Sequence, residues 1–147
     1  MEDKIVKVLK KKVESFEGDI EMPVLRGKPI EFWESADGTG LEVYQLNEFI
    51  LKWEHFSAIV KKANELGGKM YRGDNLVMMK GAKLGEDISH DCMEGFIAST
   101  ILGTIDGTSV TRRSTYYSGI LAWAEIVTLH KSQGKGSYIT VNKEYRE

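Results

Sequence analysis

The stretch Gly107–Val141 reads GTSVTRRSTYYSGILAWAEIVTLHKSQGKGSYITV and decides the fold that we predict for the end of the chain. It begins with a polar segment around Arg112 and Arg113 and becomes apolar from Ile120 onward. A strand pattern, a tip rich in glycine and lysine, and a second strand pattern follow. This order predicts a helix and then a hairpin with a basic tip. Such a unit can place side chains in a DNA groove and on DNA phosphates.

Residues 89–141 resemble the winged helix-turn-helix superfamily of DNA-binding proteins. The segment FIASTILG at 96–103 is similar to the supporting helix of that superfamily. The segment 109–127 is similar to the recognition helix running into the first strand of the wing, and 128–141 is similar to the wing. The resemblance implies a non-enzymatic protein that binds double-stranded DNA, for example a small transcriptional regulator or a mobile-element protein of a bacterium. It also implies a possible homodimer, because many such proteins bind paired half-sites.

The first turn of the predicted recognition helix supplies most of the expected DNA contacts. Arg112 and Arg113 are expected to recognise bases or anchor the DNA, because arginine suits the O6 and N7 acceptors of guanine. The hydroxyl groups of Ser114, Thr115 and Tyr116 are expected to support them at phosphate oxygens. The helix departs from the usual pattern at Gly119, since glycine inside a helix costs about 1 kcal/mol relative to alanine.

Charge is distributed unevenly along the chain. The formal net charge is −2, but the segment 107–143 has a single acid, Glu125. The bases of that segment are Arg112, Arg113, Lys131, Lys135 and Lys143. Lys131 and Lys135 belong to the predicted wing and are expected to contact phosphates, and each contact would steepen the salt dependence of binding. An acidic body with a basic end indicates a polyanionic partner at that end.

The rest of the pattern predicts a single α+β domain over residues 1–147. Its 1–88 part should contain a helix at 2–16, a small antiparallel sheet of two or three strands in 20–46, and a helix at 48–66. We expect residues 69–87 to form a connector with a short strand at Leu76–Met79. The 89–147 part should be the winged-helix-like unit, with helices at 89–102 and 114–125. Asp91 and Glu94 have the spacing of a capping pair for the first of these.

Composition favours a cytoplasmic protein with no cofactor. One cysteine, Cys92, excludes an internal disulfide and fits a reducing compartment. The chain has no run of 18 apolar residues, and its N-terminus is charged where a signal peptide would be apolar, so we expect no membrane partner. His90, Asp91 and Cys92 are adjacent, whereas zinc ligands have wider characteristic spacings, so no metal site is expected there.

The sequence is compatible with two other functions. A protein-interaction module would use the 107–141 face, with Tyr116, Tyr117 and Tyr138 as anchors, because aromatic residues are favoured at binding hot spots. A metal-dependent nuclease would use carboxylates on or beside the predicted strands to hold Mg²⁺. Those carboxylates are Glu31, Glu34, Asp37 and Glu42.

Overall fold

The computed structural model describes residues 3–16, 18–22, 29–131 and 136–147. It is an α+β fold, as predicted, with one four-stranded and one three-stranded antiparallel sheet. The described α-helices are α1 (Lys4–Glu14), α2 (Trp53–Glu65), α3 (Asp74–Val77), α4 (Met93–Phe96) and α5 (Ser114–Trp123). The strands are β1 (Ile20–Met22), β2 (Ile30–Glu34), β3 (Gly40–Val43), β4 (Leu46–Lys52), β5 (Lys69–Tyr71), β6 (Val127–His130) and β7 (Tyr138–Val141).

The first helix forms where the apolar spacing predicts it. Asp3 caps α1, since its side chain accepts a hydrogen bond from the backbone N–H of Ile5 at 2.8 Å. Ile5, Leu9 and Val13 are buried, and α1 packs against α2. The burial of this stripe explains why a helix covered with lysines on its other side is stable.

The strands β1–β4 form a meander in sequence order. The sheet has four strands, whereas the sequence predicts two or three. The additional strand β4 covers residues that we assigned to the start of the next helix, which begins at Trp53 rather than at residue 48. Leu51 of β4 pairs with Leu41 of β3 and is fully buried. Sheet pairing with β3 therefore outweighs the helical spacing of Phe49 and Trp53.

The three-stranded sheet has the order β5-β7-β6. The predicted hairpin is present as β6 and β7, but β7 also pairs with β5, which we had assigned to a connector. The Leu76–Met79 prediction is wrong, because Asp74–Val77 forms a single helical turn and Met78 and Met79 are exposed. The hairpin is therefore part of a sheet whose third strand, β5, comes from the first half of the chain.

The two elements after α3 are both shorter than predicted. In place of a helix at 89–102, α4 continues into a π-helical turn at Ile97–Ile101. Asp91 forms an ion pair with Lys62 at 3.0 Å instead of capping α4. The 114–125 prediction is close to the observed α5.

Helix α5 lies between the two sheets. An added Cβ at Gly119 would lie 2.6 Å from Cε of Met22 in β1, so glycine allows close packing of α5 on the meander. At the C-terminal end of α5, the Trp123 ring contacts the Phe32 ring of β2 edge-on, with centroids 5.1 Å apart. The main buried cluster joins α1, α2, α5 and both sheets, so residues on both sides of position 88 contribute to it. In the described part of the chain, no helix has the length and apolar character needed to cross a bilayer.

Candidate nucleic-acid interface

The predicted recognition helix is a core helix. Buried residues occupy most of α5: Ser114, Tyr117, Ser118, Gly119, Ile120 and Leu121. A helix that enters a DNA groove needs an exposed side, and a helix that is apolar all round belongs to a protein interior. This burial leaves only the start of α5, near Thr115 and Tyr116, for the predicted contact with a DNA groove.

A buried carboxylate caps the N-terminus of α5. Oε1 of Glu94 accepts hydrogen bonds from the backbone N–H groups of Arg113 (2.8 Å) and Ser114 (3.0 Å). Oε2 of Glu94 accepts a hydrogen bond from the Ser114 hydroxyl at 2.8 Å. Burial raises the pKa of Glu94, and these three hydrogen bonds act against that rise. The end of the helix is thus occupied by a carboxyl group of the protein itself, so a phosphate cannot use it.

The three hydroxyl residues predicted at the interface have different positions. Ser114 is fully buried and bonded to Glu94, so its predicted phosphate contact is wrong. Thr115 is half-buried, and its Oγ1 accepts hydrogen bonds from Arg72 at 3.4 Å and Arg112 at 3.3 Å. Tyr116 is half-buried against the main core. None of these three side chains is fully exposed to solvent.

The two arginines in front of α5 also differ. The Arg113 guanidinium lies over the Phe49 ring at 4.9 Å, and its Nη1 donates to the carbonyl oxygen of Arg112. Its Nε is buried without a hydrogen-bond partner among the described residues. Arg113 is therefore held by contacts within the protein, and its role at DNA stays a prediction. The Arg112 side chain is 45% exposed and lies 3.9 Å from Oδ2 of Asp74.

Asp74 connects Arg112 to the base of the wing. Its Oδ2 accepts a hydrogen bond from Nη2 of Arg72 at 2.7 Å, and its Oδ1 accepts one from the Ser137 hydroxyl at 3.4 Å. The backbone N–H of Arg72 donates to the Ser137 carbonyl oxygen at 3.0 Å. The sequence predicts only a connector at residues 69–87, which include Arg72 and Asp74. The spacing of Arg72 and Asp74 in the sequence does not indicate that Asp74 contacts both Arg112 and Ser137.

The wing lysines are only partly described. Lys131 is exposed and directly follows His130, which pairs with Tyr138. Lys131 therefore leaves the sheet at the end where Ser137 contacts Asp74 and where Arg112 lies. Lys135 lies outside the described residues. Of the predicted cations, Arg112 and Lys131 are the two that the described structure brings to one end of the sheet.

The outer face of the three-stranded sheet, which is the face opposite the main core, carries a row of rings that the sequence pattern did not reveal. At the β5 end of this row, Tyr71 packs on a second buried cluster that includes Leu84 and Ile88. Tyr71, Tyr138 and His130 are direct neighbours across β5, β7 and β6. Because cross-strand partners point to the same side of a sheet, the three rings share one face. The Tyr138 and His130 rings stack at 4.7 Å and 12°, and the Tyr71 and Tyr138 centroids lie 5.5 Å apart.

The predicted carboxylate site has different geometry. Oε2 of Glu42 accepts a hydrogen bond from the Trp33 indole at 3.1 Å, and Asp37 stabilises its own turn through Ser35 and Thr39. Glu34 alternates to the opposite side of β2 from Trp33. The described residues contain no group of three or more His, Cys, Asp or Glu side chains that could hold a metal ion.

One predicted protein-docking anchor is also internal. Tyr117 is fully buried, and its hydroxyl lies 2.9 Å from Nδ1 of His55, so it cannot meet a partner. Burial raises the pKa of Tyr117 and lowers the pKa of His55.

Comparisons of the chain with protein-family models, with curated proteins and with solved structures find no match.

Proposed function

We propose that this protein binds double-stranded DNA through its phosphates, at the wing end of the three-stranded sheet, without altering the DNA. The observation that carries the proposal is the exposed guanidinium of Arg112 beside the Asp74–Ser137 link, at the end of the sheet where Lys131 emerges. Arginine and lysine side chains make a large share of protein contacts to DNA phosphates. The winged-helix resemblance remains a prediction, and helix, helix and hairpin do follow one another in the order that it implies.

The burial of α5 determines what kind of binding is proposed. Since α5 is mostly buried, the proposed contacts are to the sugar-phosphate backbone, which carries little sequence information. Such binding weakens with added salt, because each neutralised phosphate releases counterions. Asp74 reduces the positive charge near Arg112, so we expect modest affinity at physiological salt.

The test measures fluorescence anisotropy of a labelled blunt DNA duplex from about 50 to about 200 mM salt. We expect the double variant Arg112→Ala/Lys131→Ala to bind more weakly and to lower the salt slope by about 2, at roughly 0.9 per lost phosphate contact. The matched control is Lys7→Ala/Lys11→Ala, which removes two exposed charges from α1.

Two results would overturn the proposal. The first is no duplex binding by the native protein at the lowest salt. The second is equal weakening in the α1 control, which would mean that general attraction rather than the wing end is responsible.

Two finer expectations belong to the same proposal. A cytoplasmic location fits the single cysteine, which the structure places in a buried position. A homodimer would present two wing ends to one duplex. Sedimentation of the protein with and without duplex tests the second expectation, and one protein per duplex at saturation would contradict it.

A further inference from the structure

The ring row on the three-stranded sheet is held in a defined orientation. His130 Nε2 lies 2.8 Å from Oγ1 of Thr140, its diagonal neighbour on β7, and this hydrogen bond orients the imidazole parallel to the Tyr138 ring. In the described part of the chain, β6 is the last strand of the sheet. The side of the His130 ring that faces away from Tyr138 therefore points past the sheet edge. A flat ring held at an edge can extend its stack with another flat ring.

The charges around the rings favour an anionic partner. The register places six side chains on this outer face, and each of them is neutral, aromatic or cationic: Lys69, Tyr71, Thr128, His130, Tyr138 and Thr140. The ammonium of Lys69 lies 4.3 Å from the Tyr138 centroid and 4.9 Å from the Tyr71 centroid. A face with rings, a cation and no acid is complementary to a strand that carries both bases and phosphates.

Lys69 covers part of the ring row and is itself exposed to solvent. A cation over an aromatic ring at an exposed site is a weak interaction, whereas stacking of a nucleobase on an aromatic side chain is stronger. A base arriving at Tyr138 can therefore displace the ammonium. The displaced ammonium can then meet the phosphate attached to that base.

We propose that this face binds unpaired bases of single-stranded nucleic acid, with bases stacking on the Tyr138–His130 pair and Lys69 at a phosphate. The proposal goes beyond the proposed function, which concerns double-stranded DNA, and rests on it for the further phosphate contacts of Arg112 and Lys131 at the same end of the sheet. Base stacking is tolerant of sequence, because every base presents a flat aromatic face. The occupant is therefore defined by unpaired bases rather than by a particular sequence.

The experiment compares three probes of equal length by anisotropy: an oligothymidylate strand, an abasic strand with the same phosphates, and a blunt duplex. We expect the native protein to bind the oligothymidylate about tenfold more tightly than the abasic strand. The variant Tyr138→Leu should lose about this factor for the oligothymidylate and retain its affinity for the abasic strand. Its salt slope should not change, because no charge is removed.

The matched control is Tyr44→Leu, which removes an exposed tyrosine from the turn between β3 and β4. Urea denaturation shows whether each variant is folded. If Tyr138→Leu does not fold, His130→Ala on the edge strand provides the same test. Unchanged oligothymidylate binding in a folded variant would overturn the proposal.

The probes also separate this inference from the proposed function. Equal affinity for the abasic strand, the duplex and the oligothymidylate would overturn stacking and leave phosphate binding intact. Binding of none of the three would overturn both, and the ring face would then be a candidate for a polypeptide partner.

Discussion

The two antiparallel sheets of this protein have similar inner faces and opposite outer faces. On the meander, Glu21, Glu31 and Glu42 share the outer side with Trp33, as the strand register shows. On the three-stranded sheet, the outer side carries rings and a lysine and no acid. The inner sides of both sheets are apolar and meet around α5. The net charge of −2 thus conceals two surfaces of different sign, and a polyanion should approach only one of them.

The largest expected effect comes from the helix that the two sheets share. Replacing Glu94 with alanine removes three hydrogen bonds and leaves buried N–H groups at the start of α5 without partners. We expect a loss of about 2–4 kcal/mol in the free energy of unfolding, measured by urea denaturation. The exposed Glu34→Ala variant should stay within about 0.5 kcal/mol of the native protein. A similar small change at Glu94 would mean that α5 does not depend on this cap.

The same carboxylate should give stability a recognisable pH dependence. Burial raises the pKa of Glu94 in the folded state above its value in the unfolded chain. Its contribution is therefore fully present below the unfolded pKa, and it is lost as pH rises through the folded pKa. The free energy of urea unfolding is measured from below the unfolded pKa to above the folded pKa, in the native protein and in Glu94→Gln. The difference between the two pH profiles isolates the contribution of Glu94. Parallel profiles would contradict the expectation.

A charge placed on the ring face tests the contrast between the outer faces directly. Thr128 is exposed on β6 and shares the outer side with His130. We expect Thr128→Glu to weaken nucleic-acid binding about tenfold, because a negative charge there repels phosphates. The neutral variant Thr128→Gln should bind as the native protein does. On the other sheet, Glu42→Gln should leave the affinity unchanged, and an increase there would mean that the polyanion also contacts the meander.

The sequence predicted those elements whose stability depends on local pattern. Helix α1 was predicted by its apolar stripe and α2 by its spacing, and the strands of the hairpin by alternation around a glycine-rich tip. Strand β5 was missed because three residues, Lys69–Tyr71, form a strand only through pairing with β7 late in the chain. Alternation within three residues carries too little information to indicate such a partner.

The candidate site was less predictable, because burial of polar groups depends on distant partners. The polar start of α5 indicated solvent exposure, yet the Ser118 hydroxyl donates to the carbonyl oxygen of Ser114 and the Ser114 hydroxyl donates to Glu94. A polar group with its hydrogen bonds satisfied can be buried at little cost. The predicted Asp91–Glu94 capping pair is wrong, because Glu94 caps the helix that begins 20 positions later instead of its own.

The smallest predicted effect concerns the contact between α5 and the meander. Helix propensity alone predicts that Gly119→Ala stabilises the protein by about 1 kcal/mol. The new methyl group would lie 2.6 Å from Cε of Met22, which is itself buried, so Met22 must move within a packed core. We expect these effects to leave Gly119→Ala less stable than the native protein by about 1 kcal/mol, measured as a shift in the urea midpoint.

Alanine at position 122 of the same helix supplies the control for that measurement. Ala122→Gly should cost about 1 kcal/mol through helix propensity. Combining Gly119→Ala with Met22→Ala should show positive coupling, since the shorter side chain makes room for the methyl group. If Gly119→Ala instead stabilises the protein and shows no coupling to position 22, α5 does not pack closely on β1. The two sheets would then lack the shared helix on which their comparison depends.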